Sequence, residues 1–581
     1  MDAASLFIGG SYKSQSPLAD CEELYNWYKE SMQVPGASAK DVLYPTPGVQ
    51  TIAEVEYGVG RAHIETLTRE FAVIGPSFVE IYQNGTSTVR GTVALDANPA
   101  TLSSSGDLSR EVFITSGGNG YIFNLDTNVF AAIAVLAGKA TMGAYLDGYF
   151  LALDSSLSAV YSSVLGDGTT WDPNTYWTQR SAMADRWVSM TVVGRLIYLL
   201  GERTSEIWYD AGLTPFPFGF YTGAPVIQYG CLAPFSPAVI GDSLLWVALS
   251  SSGRRCIVKA SLQAQQASTY PIDVALEKYP DATLAIGDAY SDRGHTFYRV
   301  SFDESNVSWA LDVEGGEWHK DGEWNRTTGQ WESWRPRYYV NVFGQHRMLD
   351  GRGRSVFQMS ADYSTQANGD PIRRLRQTPA FTSGNDLIFY SSLELFIETG
   401  LKSLESDPPH AEFTWTMAEA TTLDASDSYS PSGSITSYSW YVNGSLLVTT
   451  TSPSYYWGMG AVEGDVILLV VHSPSGTASA TATVPPATFS GTSTPVSATG
   501  VDREPQVMLS LSNDAGRTWI TEQWRGAGKL GEYQRRVRWQ GLGAARRRVF
   551  RVVCADEYPW RLIGADLRID QDVPQGEKDR G

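Results

Sequence analysis

Cysteine is scarce in this chain of 581 residues: there are four, Cys21, Cys231, Cys256 and Cys554. They lie far apart, without Cys-x-x-Cys or zinc-type spacing, so they read as small buried residues in a reducing compartment. Histidine is nearly as rare. His63, His295, His319, His346, His410 and His472 fall in separate segments. No His-Glu-x-x-His pair or serine elbow accompanies them, so no catalytic residue, metal site or cofactor is expected. Gly58-Val59-Gly60 lacks the strand-turn-helix setting that phosphate binding needs. Basic residues are also outnumbered: 44 Lys and Arg against 63 Asp and Glu leave a formal net charge of −19. That argues against a general grip on nucleic acid and suits a soluble protein that lets DNA pass without sticking. No apolar run approaches membrane-spanning length, and the first residues, MDAASLFIGGSYKSQ, do not have the form of a secretory signal. Membrane insertion is not expected, and assembly in a cytosol is.

What is plentiful points to β-structure. The 55 Gly, 30 Tyr and 18 Trp favour short strands joined by tight turns, and few helices are expected. From about residue 70 a cadence repeats: apolar strand, Gly/Asp/Asn turn, apolar strand, polar loop. FAVIGPSFVEIY at 71–82 and VFITSGGNGYIFNL at 112–125 are examples, and VNVFGQHRMLDGRGRSVFQM closes the series near 359. Units start roughly 30 to 50 residues apart, near the length of a four-stranded propeller blade. The fold class expected is all-β: a β-propeller-like body, an inserted immunoglobulin-like sandwich and a C-terminal β segment. A sandwich or irregular meander is the alternative for the body.

Four segments follow. Residues 1–60 form an N-terminal arm, in which DCEELYNWYKES at 20–31 has a helical or irregular aromatic pattern. Residues 61–403 form the body. Residues 404–500, poor in Lys and Arg and rich in Ser, Thr, Ala and Tyr, form an insertion with its linker. Residues 501–581 form the C-terminal β segment. Strands at 389–400 and 506–511 are expected to be two parts of one sheet, parted by the insertion, which would then protrude. Leu423-Asp424-Ala425-Ser426 and Ser437-Tyr438-Ser439-Trp440 resemble a PKD domain, an immunoglobulin-like fold. The sequence departs from that pattern after Trp440, where Tyr441-Val442-Asn443-Gly444 replaces the common Asp-Phe-Gly-Asp-Gly.

Residues 512–519 read Ser-Asn-Asp-Ala-Gly-Arg-Thr-Trp and resemble the Asp-box of sialidases and related propeller proteins. Asp514 is expected to fold its carboxylate onto nearby backbone N–H groups and Gly516 to take a positive φ. Thr518 and Trp519 would then begin the returning strand, with Trp519 anchoring the C-terminal sheet. This raises a glycosidase alternative. EWHKDGEWNRTTGQWESW at 317–334 offers Trp318, Trp324, Trp331 and Trp334 for stacking on sugars, with Glu317, Glu323 and Glu332 as acid and base. A hairpin whose tryptophans pack a core edge fits the same spacing. Only one box is present, and it lies beyond the body.

YQRRVRWQGLGAARRRVFRV at 533–552 is a basic island in an acidic chain. Alternation sets Arg536 and Arg538 against Val537 and Trp539, with Gly541, Leu542 and Gly543 read as a turn before Arg547 and Arg548. Arg536, Arg538 and Arg547 are the candidate subunit contacts. DNA contact and pairing with carboxylates of the same chain are the other readings.

Several motifs together resemble the packaged-DNA-stabilisation or tail-hub proteins of short-tailed bacteriophages, also called tail accessory factors or nozzle proteins. These are NWYKES with LYPTPGV, LLGERTSEIWYDAG with IQYGCLAPFSPAVIGDSLLWVA, and LSNDAGRTW, GEYQRRVRWQGLGAARRRVFRV and LIGADLRID. The resemblance implies a non-enzymatic virion tail component assembled in the host cytoplasm as a homo-hexamer. Portal or adaptor ring proteins would lie above it and tail fibres, tailspikes or a needle below, with genomic DNA passing through.

Overall fold

The computed structural model describes residues 4–32, 39–55, 58–179, 183–384, 386–399, 409–417, 420–430, 434–458, 460–473, 476–486, 490–497, 505–528 and 536–570. Strands dominate it. The repeating hairpins form antiparallel sheets beginning at Gly60, Thr101, Met142, Trp187, Tyr229, Ile286 and Pro336. Neighbouring sheets touch in chain order, and Pro336–Val342 packs back on Gly60–Thr66, so these seven sheets close a propeller ring.

Alternation explains why the blades stack. In Arg69–Ile74 of blade one, Phe71 and Val73 enter the core shared with blade two, while Ala72 and Ile74 enter the core shared with blade seven. Side chains of period two thus bury both faces of one sheet, each large apolar side chain contributing about 1.5–3 kcal/mol. An ionic contact also crosses the closure. Arg347 of blade seven donates to fully buried Glu70 of blade one at 2.5 Å, and His63 lies 2.8 Å from the other Glu70 oxygen.

The ring takes its closing strand from the arm. Gly48–Glu54 pairs antiparallel with Ser355–Ser360, giving blade seven its fourth strand. The arm at 1–60 is therefore divided between two bodies. Its segment at 20–31 is not helical: Cys21–Tyr25 and Trp27–Ser31 are strands, parted by Asn26 at φ +58°. Leu24, Trp27 and Tyr28 have helix-like spacing because the reversal at Asn26 changes which sheet the chain joins.

The body is likewise shorter than 61–403, because the blades end at Ser360 and the strands at Arg374–Gln377 and Ile388–Glu398 belong to a β-sandwich. One of its sheets runs Trp27–Ser31, Asp41–Pro45, Arg561–Asp570, Ile388–Glu398, Arg536–Ala545. The facing sheet runs Cys21–Tyr25, Arg374–Gln377, Arg547–Cys554, Gln506–Ser512, Gln523–Gly526. Their shared core holds Trp27, Leu393, Leu395, Trp539, Phe550 and Trp560. The strands expected to be one sheet, near 389–400 and 506–511, thus face each other across this core. Apolar alternation is the same for strands that pair and strands that face, which is why sequence placed them together.

The facing sheet is continuous with blade six. Tyr25 pairs in parallel with Lys320 on Glu317–Asn325, joining propeller and sandwich through one hydrogen-bonded sheet. The insertion is a second sandwich of four- and five-stranded sheets around Phe413, Trp415, Leu423 and Trp440. Its last strand is Thr494–Ser497, and the junctions at 400–408 and 498–504 lie outside the described residues.

Candidate assembly surface

The Asp-box segment is a loop between Gln506–Ser512 and Gln523–Gly526. The Asp514 carboxylate accepts from Arg517 N–H at 3.0 Å, Thr518 N–H at 2.9 Å, the Thr518 hydroxyl at 2.6 Å and the Ser512 hydroxyl at 2.7 Å. Donation from Thr518, first through its hydroxyl, then its N–H, holds Asp514 well below the usual carboxylate range. Gly516 sits at φ +82° and Ala515 at +62°. Thr518 and Trp519 precede the returning strand, which begins at Gln523; the two left-handed residues widen the loop beyond a tight hairpin. Trp519 lies under the Arg551 guanidinium, 3.6 Å from ring centre to Cζ.

The basic island lies against this loop. Arg548, almost fully buried, donates to Asn513 Oδ1 and to Leu542 O, each at 2.8 Å. Gly541 and Gly543 are not a turn: they lie within the strand Arg536–Ala545, at φ +65° and +74°. There the register against Ile388–Glu398 shifts. Two left-handed glycines make a bulge when the strand continues beyond them. The chain then crosses from one sandwich sheet to the other between Ala545 and Arg547.

Val537 and Trp539 point into the core, Arg536 and Arg538 outward. Both arginines pair with one carboxylate, that of nearly buried Glu394, at 3.4 and 3.2 Å, yet remain 62% and 43% exposed. Arg547 donates to Leu18 O at 3.1 Å, holding the N-terminal segment. Two cations around one carboxylate leave net positive charge on a strand that ends its sheet among the described residues.

The four tryptophans at 318–334 do not share one exposed face. Trp318 and Trp334 are buried; Trp331 stacks on Tyr25 at 4.2 Å between centroids, and Trp324 lies under Arg373 at 4.3 Å. Glu317 pairs with Lys29, and Glu332 with Arg352 at 2.8 Å. Glu323 faces Glu332 across the hairpin, and burial pushes its carboxyl up to about 7. Separately, a cleft of about 750 Å³ is lined by residues including Asn98, Arg186, Arg203, Phe235 and Glu304.

Sequence reasoning missed the junction that joins these parts. Buried Asn26 bonds to Gly322 and to Arg373 O. Beside it, Lys320 reaches Glu23 at 3.3 Å and lies over Tyr25. Burial works against the Lys320 charge, but Tyr25, Glu23 and Tyr279 outweigh it and hold the ammonium above its ordinary value. A polar Asn set between Tyr25 and Trp27 was the available signal.

No curated protein matches this sequence. Among solved structures, the chain resembles virginiamycin B lyase from Staphylococcus aureus at 9% identity and TM-score 0.34, covering 54% of this chain and 99% of that one. The computationally designed Ika8 protein gives 8% and 0.33, covering 54% and 100%. The RRP9 WD40 repeats give 8% and 0.30, covering 54% and 99%. The profile described as bacteriophage P22 Gp10, beta-propeller matches residues 23–364, and that described as bacteriophage P22 Gp10, beta-sandwich matches 493–570. The first span takes in all seven blades together with the sandwich strands Trp27–Ser31 and Asp41–Pro45, and the second takes in the C-terminal strands of the sandwich together with the insertion's last strand. The chain belongs to the bacteriophage P22 Gp10 family, structural tail proteins of short-tailed phages that stabilise packaged DNA.

Proposed function

We propose that six copies of this chain form a tail-hub or nozzle ring in the virion, below the portal and its adaptor ring. The ring extends the DNA channel, retains the genome and carries fibres, tailspikes or a needle beneath. The observation that carries this reading is the family match over both the propeller and the sandwich. The continuous sheet from blade six into the sandwich supports it, because a load on one body reaches the other through backbone hydrogen bonds. A formal charge of −19 per subunit suits a wall past which DNA slides. The ten-residue strand Arg536–Ala545, with Arg536 and Arg538 exposed, offers a basic edge to an acidic neighbouring subunit.

The role is structural rather than enzymatic in this reading, supported by the engagement of Glu317 and Glu332 in ion pairs within the chain. The insertion resembles a PKD domain and would stand on the outside of the ring, facing fibres or the host envelope. No Lys or Arg occurs between Lys402 and Arg503, so a polyanionic partner such as DNA does not suit it. Negative-stain imaging of the purified protein with the portal complex tests the main reading. A six-fold ring beneath the portal is expected; a chain that remains monomeric and does not join the portal would sink it.

A further inference from the structure

The blade-six turn that joins Val307–Asp312 to Glu317–Asn325 brings two carboxylates beside His295, which lies 17 and 19 residues before them in sequence. His295 opens the strand His295–Phe302, Asp312 ends Val307–Asp312, and Glu314 follows in the turn. One donor atom from each lies within 4.8 Å of the others. We propose that His295 Nδ1, Asp312 Oδ2 and the free oxygen of Glu314 bind a divalent first-row transition ion, zinc being the probe of choice.

Three further features point to an ion rather than to a chance cluster. Both carboxylates are already oriented through their other oxygen. Glu314 N–H donates to Asp312 Oδ1 at 3.2 Å, and Thr296 N–H donates to Glu314 Oε2 at 2.7 Å. His295 Nε2 lies 3.6 Å from the Glu30 carboxylate, an electrostatic contact longer than a hydrogen bond, and Nδ1 is the ring atom that faces Asp312. His295 Nδ1 and Asp312 Oδ2 lie 2.9 Å apart, hydrogen-bonded, and a zinc ion would replace the shared proton once the two atoms part to about 3.3 Å, the edge of a tetrahedron with bonds of about 2.0 Å.

Charge gives the third argument. Among the described residues, no Lys or Arg forms an ion pair with Asp312, Glu314 or Glu30, and Asp312 is fully buried. Three carboxylates around one imidazole carry a surplus that a divalent cation neutralises. Mixed nitrogen and oxygen donors select zinc over magnesium or calcium, which prefer oxygen alone. Glu30 comes from the arm strand Trp27–Ser31, whose Tyr28 packs on the His295 ring at 5.1 Å between centroids. The ion would therefore staple the arm to blade six. No metal site was expected from sequence, because a local motif search does not see ligands brought together by pairing of distant strands.

The test uses the full chain, stripped with chelator and titrated with zinc chloride by calorimetry at neutral pH. One equivalent per chain is expected, with a rise in Tm on zinc addition and no comparable response to magnesium. Glu314→Gln, at an exposed position that leaves the fold intact, and His295→Ala should each weaken binding at least about tenfold. Glu30→Gln should weaken it less, by roughly two- to fivefold, through loss of one nearby carboxylate charge. Failure of the wild-type chain to take up stoichiometric zinc would overturn the proposal. So would uptake that persists undiminished in folded Glu314→Gln, which places the ion elsewhere.

Discussion

Asn26 and Gly322 exchange two hydrogen bonds across 296 residues of chain: Asn26 Nδ2 donates to Gly322 O, and Gly322 N–H donates to Asn26 Oδ1, both at 2.9 Å. A third bond, from the same Nδ2 to Arg373 O at 2.7 Å, brings in the strand that follows the propeller. Asn26 is fully buried and sits at φ +58°, a conformation that Asn tolerates better than most residues. Asn26→Ala leaves buried amide groups without their partner and strains the backbone, so a loss of about 2–4 kcal/mol is expected. Asn26→Gly removes the bonds but accepts the positive φ, and should be milder by about 1 kcal/mol. Calorimetric Tm values for the two variants check both the loss and its order; equal values close to wild type would remove the junction from the stability account.

Glu323 gives a pH prediction. Burial raises its carboxyl from the ordinary 4.5 to about 7, against the opposing pull of Arg352 and Arg335. Between those values the folded chain binds a proton that the unfolded chain has released. Stability from this group is therefore full below pH about 4.5 and declines as the pH rises to 7, by on the order of 3 kcal/mol. Glu323→Gln keeps an acceptor for the Ala367 N–H, 3.4 Å away, and cannot ionise. Its Tm advantage over wild type should be small at pH 5 and larger at pH 8. An advantage independent of pH would mean that Glu323 does not titrate in this range.

The repeated hairpins were legible because each strand carries its own alternation and its own turn. Gly194 and Gly344, both with positive φ, mark such turns within blades four and seven. Pairing between distant segments was not legible. Gly48–Glu54 reads as an extended arm and becomes the closing strand of blade seven only because Ser355–Ser360 leaves an edge for it. Gly541 and Gly543 look like a turn, but whether two left-handed residues reverse a strand or bulge it depends on the neighbour, here Ile388–Glu398. Arg536 and Arg538 were legible as outward-facing; their shared partner Glu394, more than 140 residues earlier, was not.

The loop at 512–519 should depend on its carboxylate and its glycine separately. Asp514→Ala removes an acceptor that serves Arg517, Thr518 and Ser512, so the loop should become more susceptible to proteolysis near Arg517. The carboxylate is held below its ordinary 3.8, so its contribution is full above that pH and is lost as the pH falls further. Gly516→Ala forces a side chain into φ +82° and places a Cβ 3.2 Å from Gln377 Nε2, for a loss of about 1 kcal/mol. Protection equal to wild type in both variants would show that the loop is held by Trp519 and Arg551 instead.

Replacing residues 404–500 with a short linker should leave DNA retention intact. The insertion has its own core around Trp415 and Trp440, while the C-terminal sandwich core is built from other residues on both sides of it. Phage assembled with the shortened chain should retain its genome through heating that spares wild type, measured by release of DNA to a nuclease. Leaking particles would place the insertion in the retaining structure.

Glu394 ties Arg536 and Arg538 to the fold as well as to any neighbouring subunit. Reversing the charge of Arg536, Arg538 and Arg547 sets acids beside a nearly buried carboxylate, so loss of rings could follow from loss of fold. Neutralising the whole cluster separates the two effects. In a chain carrying Arg536→Gln, Arg538→Gln, Arg547→Gln and Glu394→Gln together, no ion is left unpaired, and Tm should stay within a few degrees of wild type. If the outward arginines hold an acidic neighbour, this folded chain should lose the hexamer by native mass measurement, and the wild-type hexamer should weaken as salt rises. Unchanged hexamers, insensitive to salt, would confine Arg536 and Arg538 to holding Glu394 and put the subunit contact on another face.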